Sequence, residues 1–192
     1  MLPDEMDTLQ AAFTALQHLL GQFDDRGVII GGVASGFLGK PRLTVDIDAV
    51  FLLSVDEIPR LLQAAEVEGI KPRLENVVEF ARQNRVLLLR HAASGVNIDI
   101  SLGILPFEEE MVTRSVVHRV GALSLRLPTP EDLIILKAVA HRPKDLLDIQ
   151  AIAENNPDLD LSRIQYWVQV FAQALDQPDL WQKLQAFLQV DP

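Results

Sequence analysis

Two aspartates one residue apart, Asp46 and Asp48, lie in the run Arg42-Leu43-Thr44-Val45-Asp46-Ile47-Asp48-Ala49-Val50-Phe51-Leu52-Leu53. The run is dense in β-branched and large apolar residues and reads as a strand. Strand side chains alternate between faces, so both carboxylates project to one side, with Thr44 before them and Val50 and Leu52 after. The pair stands where that face turns apolar, at the mouth of a buried strand. Like charges repel there, and loss of water costs each several kcal/mol unless a cation compensates. A hard divalent ion such as Mg²⁺ is the simplest compensator for carboxylate oxygens. A bare Asp-x-Asp is short and common, and it equally fits a solvated strand face with two incidental acids.

A third acid narrows the choice. Val96-Asn97-Ile98-Asp99-Ile100-Ser101-Leu102 alternates cleanly, with the apolar residues on one face and Asn97, Asp99 and Ser101 on the other. Paired strands lie about 5 Å apart, so Asp99 reaches the ions of Asp46 and Asp48 if these two strands share a sheet. Upstream, Gly27-Val28-Ile29-Ile30-Gly31-Gly32 is a short apolar strand that breaks into two glycines, and Val33 to Leu38 reads as a short helix. A strand, a glycine turn and a helix start bring backbone N–H groups and the positive helix end together, which suits a phosphate. Most Gly-Gly pairs are merely turns; what makes this one specific is its place ahead of the double aspartate.

Gly31-Gly32-Val33-Ala34, followed by Pro41 to Asp48, resembles the signature of polymerase-β-like nucleotidyltransferases, and most of all the small bacterial branch that includes the AbiEii-type toxins. Asp99 matches the third catalytic carboxylate of that superfamily by its strand context. Leu136 to Ile149, with Lys137, Lys144, Asp145 and Asp148, is similar to the helical Lys and Arg-x-Lys-Asp-x-x-Asp region of the branch. The resemblance spans roughly residues 27 to 152 and implies an α+β fold: a mixed sheet flanked by helices, followed by a C-terminal helical region. It implies transfer of a nucleotidyl group from an NTP to an acceptor hydroxyl with release of pyrophosphate. Asp46, Asp48 and Asp99 would be the catalytic and metal-binding residues for two Mg²⁺ ions, with Asp99 on the ion that activates the acceptor. Gly31, Gly32, Ser35, Lys137 and Lys144 would bind the nucleotide. The chain departs from the pattern at Val33, where many members have Ser or Thr at or after the second glycine; the hydroxyl contact then falls to Ser35 or is absent. The acceptor stays open between a small molecule such as an aminoglycoside, a protein side chain and a tRNA end, and an antitoxin partner is a further implication. The rival reading is a catalytically idle nucleotide-binding or toxin–antitoxin interaction protein that kept the fold.

The elements that must position these residues follow from pattern. Leu9, Phe13, Leu16, Leu20 and Phe23 recur at helical spacing and predict a first amphipathic helix. Residues 56 to 68 and 75 to 83 read as helices, Arg85 to Arg90 and Val96 to Leu102 as a hairpin around Ala92-Ala93-Ser94-Gly95, and Ser115 to Val120 and Ala122 to Leu127 as another around Gly121. Pro128-Thr129-Pro130-Glu131-Asp132 opens a region that is helical throughout, with Thr129 as N-cap and Pro130 at the first helical position. Trp167/Phe171/Leu175 and Trp181/Leu184/Leu188 read as core stripes. Residues 1–127 are expected to form the catalytic core and 128–192 the helical region. Lys137 interrupts an otherwise uncharged run. It fits a lysine snorkelling from a half-buried helix as well as a triphosphate contact, and it would share a surface with His141 and Lys144 if the helix continued through Pro143 or the next one docked nearby. Asp145 and Asp148 fit residues that cap or favour the next helix start. His118 and His141 read as ordinary polar residues.

Composition closes off other classes. At 192 residues and 48% hydrophobic content, the chain can bury one good core or two small ones. No run of about 18 apolar residues exists, so no membrane span is expected. The acidic start, Met1-Leu2-Pro3-Asp4-Glu5-Met6-Asp7, lacks the marks of a secretory signal. The absence of cysteine excludes disulfides, thiolate metal sites and cysteine nucleophiles, and suits a cytoplasmic protein. A formal net charge of −10 argues against a grip on duplex DNA. Arg42, Arg73, Arg82, Arg85 and Arg90 nonetheless cluster around the strands in question and would make a local positive rim, enough to hold one RNA end.

Overall fold

The computed structural model describes residues 3–41, 44–121 and 123–188. Arg42 and Leu43 of the motif, Ala122 of the second hairpin and the first residues of the acidic start lie outside them. The chain divides into two compact units, one of Met1–Val33 with Thr44–Leu127, the other of Ala34–Leu43 with Pro128–Pro192.

The first unit is built on a five-stranded mixed sheet. In chain order its elements are α1 (Pro3–Gly21), β1 (Gly27–Ile30), the start of α2 (Gly31–Leu38), β2 (Asp46–Phe51), α3 (Ile58–Val67), β3 (Ile70–Pro72), α4 (Val77–Asn84), β4 (Val86–His91), β5 (Asn97–Leu102) and α5 (Pro106–Arg114), then a separate hairpin of β6 (Val116–Val120) and β7 (Leu123–Leu127). The strand order is β1-β2-β5-β4-β3. β2 and β5 run parallel, and every other neighbouring pair is antiparallel. The alternation read from the sequence holds. Ile47, Ala49, Ile98, Ile100, Leu87 and Leu89 are at most 1% exposed, whereas Asp46, Asp48, Asn97 and Asp99 are half-buried on the opposite face. Phe13, Leu16, Leu20 and Phe23 bury the expected stripe of α1, and Phe23 meets Phe51 edge-on at 6.3 Å between ring centroids.

Both expected hairpins form, around Gly95 (φ +71°) and Gly121 (φ +59°). Besides α5, a helix that the sequence reading leaves unassigned, two elements differ from expectation. The helix after β1 begins at Gly31 rather than Val33, because the chain turns at Gly31 itself (φ +65°) and needs no loop. The other is β3, a three-residue edge strand absent from the sequence reading. Pro72 ends it, and a proline in so short a run points away from a strand; at a sheet edge its missing donor costs nothing.

The second unit contains α6 (Pro130–Ala140), α7 (Pro143–Asn155), α8 (Leu161–Ala174) and α9 (Leu180–Leu188). Thr129 caps α6 as expected, its hydroxyl accepting from the Asp132 N–H at 3.3 Å. Trp167, Leu184 and Leu188 are buried, but Leu175 at the end of α8 is 46% exposed, so that stripe packs only through its earlier residues. Asp132 is fully buried and accepts from Arg163 Nε at 2.7 Å. No described helix is long and apolar enough to cross a membrane.

Ile98 tests the face assignment on which the site depends. Ile98→Ala should cost about 2–5 kcal/mol in a urea titration with the m-value unchanged, because it removes methylenes from a fully buried position. A change near zero would mean that β5 presents its other face to the core.

Candidate active site

β2 opens at Asp46, so the first carboxylate stands at the strand's end and the second two residues in. Parallel pairing sets Asp46 level with Asn97 and Asp48 level with Asp99. Directly paired residues share a face, and the three acids therefore occupy one patch of two adjacent strands. Asn97 Nδ2 donates to Asp46 Oδ1 at 3.0 Å and fixes that carboxylate. On the other side β1 places Ile30 level with Asp48, and Gly31 follows at once. A Cβ at Gly31 would overlap the Asp48 carboxylate, so only glycine lets the α2 start approach it.

Asp99 is in contact with Arg73, which lies just beyond β3 and donates from Nη2 to Asp99 Oδ1. Burial pushes the Asp99 carboxyl above its ordinary value; Arg73 opposes this, and the neighbouring charges of Asp48 and Asp46 add to the rise. Like-charge crowding is the lesser part of the rise, after burial. Among the described residues no three carboxylates or imidazoles converge into a metal-holding group as they stand. The donor set nevertheless suits a hard cation, being all carboxylate oxygen, half-buried and electrostatically strained.

The remaining expected site residues belong to other surroundings. Gly32 lies in the first turn of α2 beside Gly31. Ser35, one turn on, is 2% exposed and falls in the second unit. Lys137, also in the second unit, is 5% exposed and does not snorkel. Its ammonium donates to Asp148 Oδ2 at 2.6 Å and meets Asp145 Oδ1 at 3.4 Å. The shared surface with His141 and Lys144 does not form. His141 takes the left-handed conformation (φ +48°) and ends α6, and Pro143 starts α7 afresh. Lys144 is exposed in the first turn of α7. Asp145 does cap that helix, accepting from the Arg142 N–H at 3.2 Å, and it also accepts from Arg142 Nε at 2.6 Å and Nη2 at 3.1 Å. Burial raises the Asp145 carboxyl, but Arg142 and Lys137 outweigh it and hold the group below its ordinary value.

The expected positive rim is only partly assembled. Arg73 and Arg90 are on the carboxylate face, and Arg90 Nε donates to Asn97 Oδ1 at 3.1 Å. Arg85 is spent on strand ends, its Nε donating to the Leu102 carbonyl at 2.9 Å, and Arg82 is exposed on α4. Arg42 lies outside the described residues. Lys71 carried no signal in the sequence, because its role depends on the unforeseen β3.

A model of the family described as nucleotidyl transferase AbiEii toxin, Type IV TA system, matches residues 14–189. Comparison with curated proteins returns no match. Among solved structures, the chain is similar to the antibiotic-resistance factor ANT(2'')-Ia, with TM-score 0.56 and 15% identity over 91% of this chain and 98% of that one. It is also similar to an antigenic nucleotidyltransferase-like protein from Paracoccidioides brasiliensis, with TM-score 0.54 and 18% identity over 96% and 94% of the two chains. At such identities these likenesses establish the nucleotidyltransferase fold.

Removing Lys137 should be costly for stability. Lys137→Met leaves two buried aspartates short of a cation, and chemical denaturation should show a loss of about 3–5 kcal/mol at pH 7; a loss under about 1 kcal/mol would show that the network is slack. A carboxyl held low in the folded state stabilises at pH above its unfolded value and loses that contribution as pH falls through its folded value. The Asp145 contribution should therefore be complete above its ordinary value of 3.8 and disappear below it. Melting curves of wild type should fall towards those of Asp145→Asn as pH drops through that range; parallel curves would remove Asp145 from the linkage.

Proposed function

We propose, from the premise that the chain belongs to the nucleotidyl transferase AbiEii toxin family, that it moves a nucleotidyl group from an NTP to an acceptor hydroxyl and releases pyrophosphate. The observation that carries this reading is the placement of Asp46, Asp48 and Asp99 on one face of two parallel strands, with Asp48 level with Asp99 and the Gly31 turn against the Asp48 carboxylate.

The acceptor oxygen attacks the α-phosphorus, a new P–O bond forms, and the bond to the β-phosphate oxygen breaks with pyrophosphate leaving. The attacking and leaving oxygens stand on opposite sides of the phosphorus. Backbone N–H groups of the Gly31-Gly32 turn bind the nucleotide's phosphates, where a side chain would block the approach. Asp99 accepts the hydroxyl proton on a carboxylate oxygen, a task that suits a carboxyl held above its ordinary value. Asp46 and Asp48, with Asp99, would hold Mg²⁺, which when bound supplies charge stabilisation at the attacking and leaving oxygens. Asn97 orients Asp46. For Ser35, Lys137 and Lys144, which belong to the second unit, the resemblance alone supports a nucleotide contact. An antitoxin partner and a cytoplasmic setting rest on family membership and on the cysteine-free composition.

Incubation with each radiolabelled NTP and Mg²⁺, alongside total tRNA and cell lysate, should label one fraction and release pyrophosphate, and chelation with EDTA should stop both. NTP binding with no labelled product from any fraction would favour the idle nucleotide-binding reading. Asp46→Asn, Asp48→Asn and Asp99→Asn should each lower label transfer by about 10²–10³-fold. In metal-free buffer the first two should melt at or above the wild-type temperature, since each relieves like-charge repulsion. Asp99→Asn also loses the partly buried pair with Arg73, worth about 0–1 kcal/mol. Large destabilisation of all three would make the acids structural.

A further inference from the structure

The sheet carries its carboxylates between two regions suited to anions. On one side of Asp48 is the Gly31 turn. On the other side, beyond Asp99, the first unit has an open cleft of about 490 Å³ lined by Lys71, Pro72, Arg73, Arg90 and Ala92. Strand register explains how the cleft comes to face the acids. Lys71 pairs with Arg90, Arg90 with Asn97, and Asn97 with Asp46, so these four side chains form one row across four strands on a single face. The next row runs from Arg73, whose N–H donates to the Leu88 carbonyl, through Leu88 and Asp99 to Asp48. Every charged residue lining the cleft is cationic. Arg90 reaches the carboxylates through Asn97, and Arg73 touches Asp99 directly.

We propose that this cleft binds a phosphate of the acceptor, so that the acceptor is a nucleotide or an oligonucleotide end; this rests on the nucleotidyl-transfer reading given above. In-line displacement puts the incoming hydroxyl and the departing pyrophosphate on opposite sides of the transferred phosphorus. With the nucleotide's phosphates at the Gly31 turn, the anion site across the carboxylates is left to the incoming molecule. Neighbouring strands are about 4.8 Å apart, so β4 and β3 lie about 5 and 10 Å beyond Asp99, the reach of a phosphate a short way from the reacting hydroxyl. Arg73 joins the two functions. A guanidinium has five donors, and the contact with Asp99 leaves others for a phosphate, so binding draws the acceptor towards the carboxylate that takes its proton. Lys71 and Arg90 supply the remaining charge. A polycationic amino sugar would be repelled here, and a neutral protein hydroxyl would leave the three cations without use. The chain's net charge of −10 does not prevent the interaction, because charges beyond about 8 Å are largely screened at physiological salt.

The test uses the full chain as wild type and as Lys71→Ala, which leaves the Arg90–Asn97–Asp46 contacts in place, with three probes: a 5′-fluorescent hexaribonucleotide with a free 3′-hydroxyl, adenosine monophosphate, and a non-hydrolysable NTP with Mg²⁺. The variant should bind the hexanucleotide about fivefold more weakly than wild type. The slope of log affinity against log salt should fall by about 0.7, the loss for one single-strand phosphate contact. NTP affinity should stay within twofold. An equal loss for adenosine monophosphate identifies a single phosphate as the determinant, and a loss confined to the hexanucleotide identifies an oligonucleotide end. Either supports the cleft. Absence of wild-type binding to both phosphate probes, equal affinities of the two proteins, or an NTP loss in step with the probe would overturn it. Wild type that binds the hexanucleotide but no NTP would overturn the nucleotidyl-transfer reading instead.

Discussion

Crowding of three negative charges on one half-buried patch is the constraint around which the first unit is arranged. Parallel pairing of β2 with β5 puts Asp48 beside Asp99, and the Asp48 charge adds to the rise that burial imposes on the Asp99 carboxyl. The surroundings answer that strain with donors. Asn97 donates to Asp46, Arg73 donates to Asp99, and the glycine at position 31 brings backbone to the Asp48 carboxylate where any larger residue would collide with it. These contacts offset part of the repulsion, and a hard cation would offset more.

The second unit meets a similar constraint by a different route. Asp145 and Asp148 each have the Lys137 ammonium beside them. Lys137 and Arg142 complete that network from within the chain, at distances of 2.6 Å to Asp148 and 2.6 Å to Asp145 respectively. The network, buried at Lys137 and Asp145, links two helices across the break at His141, and its cost falls on any variant that removes one member. The contrast separates the two acid clusters physically: one is satisfied by side chains, the other is only partly so.

The charge distribution also reconciles an acidic chain with an anionic substrate. Seventeen Lys and Arg against twenty-seven Asp and Glu give no global attraction for nucleic acid. Local register concentrates Lys71, Arg73 and Arg90 at the edge of the sheet, on the face that carries the acids. Cations and carboxylates thus stand as adjacent blocks on one surface instead of cancelling over the whole molecule.

The local pattern of residues was sufficient for the strands and their faces. The period-two alternation at 46–52 and 97–102 determines which side chains share a side, since it depends only on backbone pleat. The caps at Thr129 and Asp145 and both hairpins were legible for the same reason, because each is a contact within a few residues. The family signature also lies in short contiguous stretches, and the match over residues 14–189 agrees with it. Tertiary structure decided the rest. That β2 neighbours β5, and that β3 exists at all, depends on pairing between segments far apart in the chain, for which a three-residue run ending in proline gives no signal. The partner of Asp99 is twenty-six residues away, and that of Lys137 lies beyond a helix break that the periodicity of α6 alone did not announce. Alternation along a strand is a property of one segment, whereas the company a charge keeps is settled only when separate segments pack together.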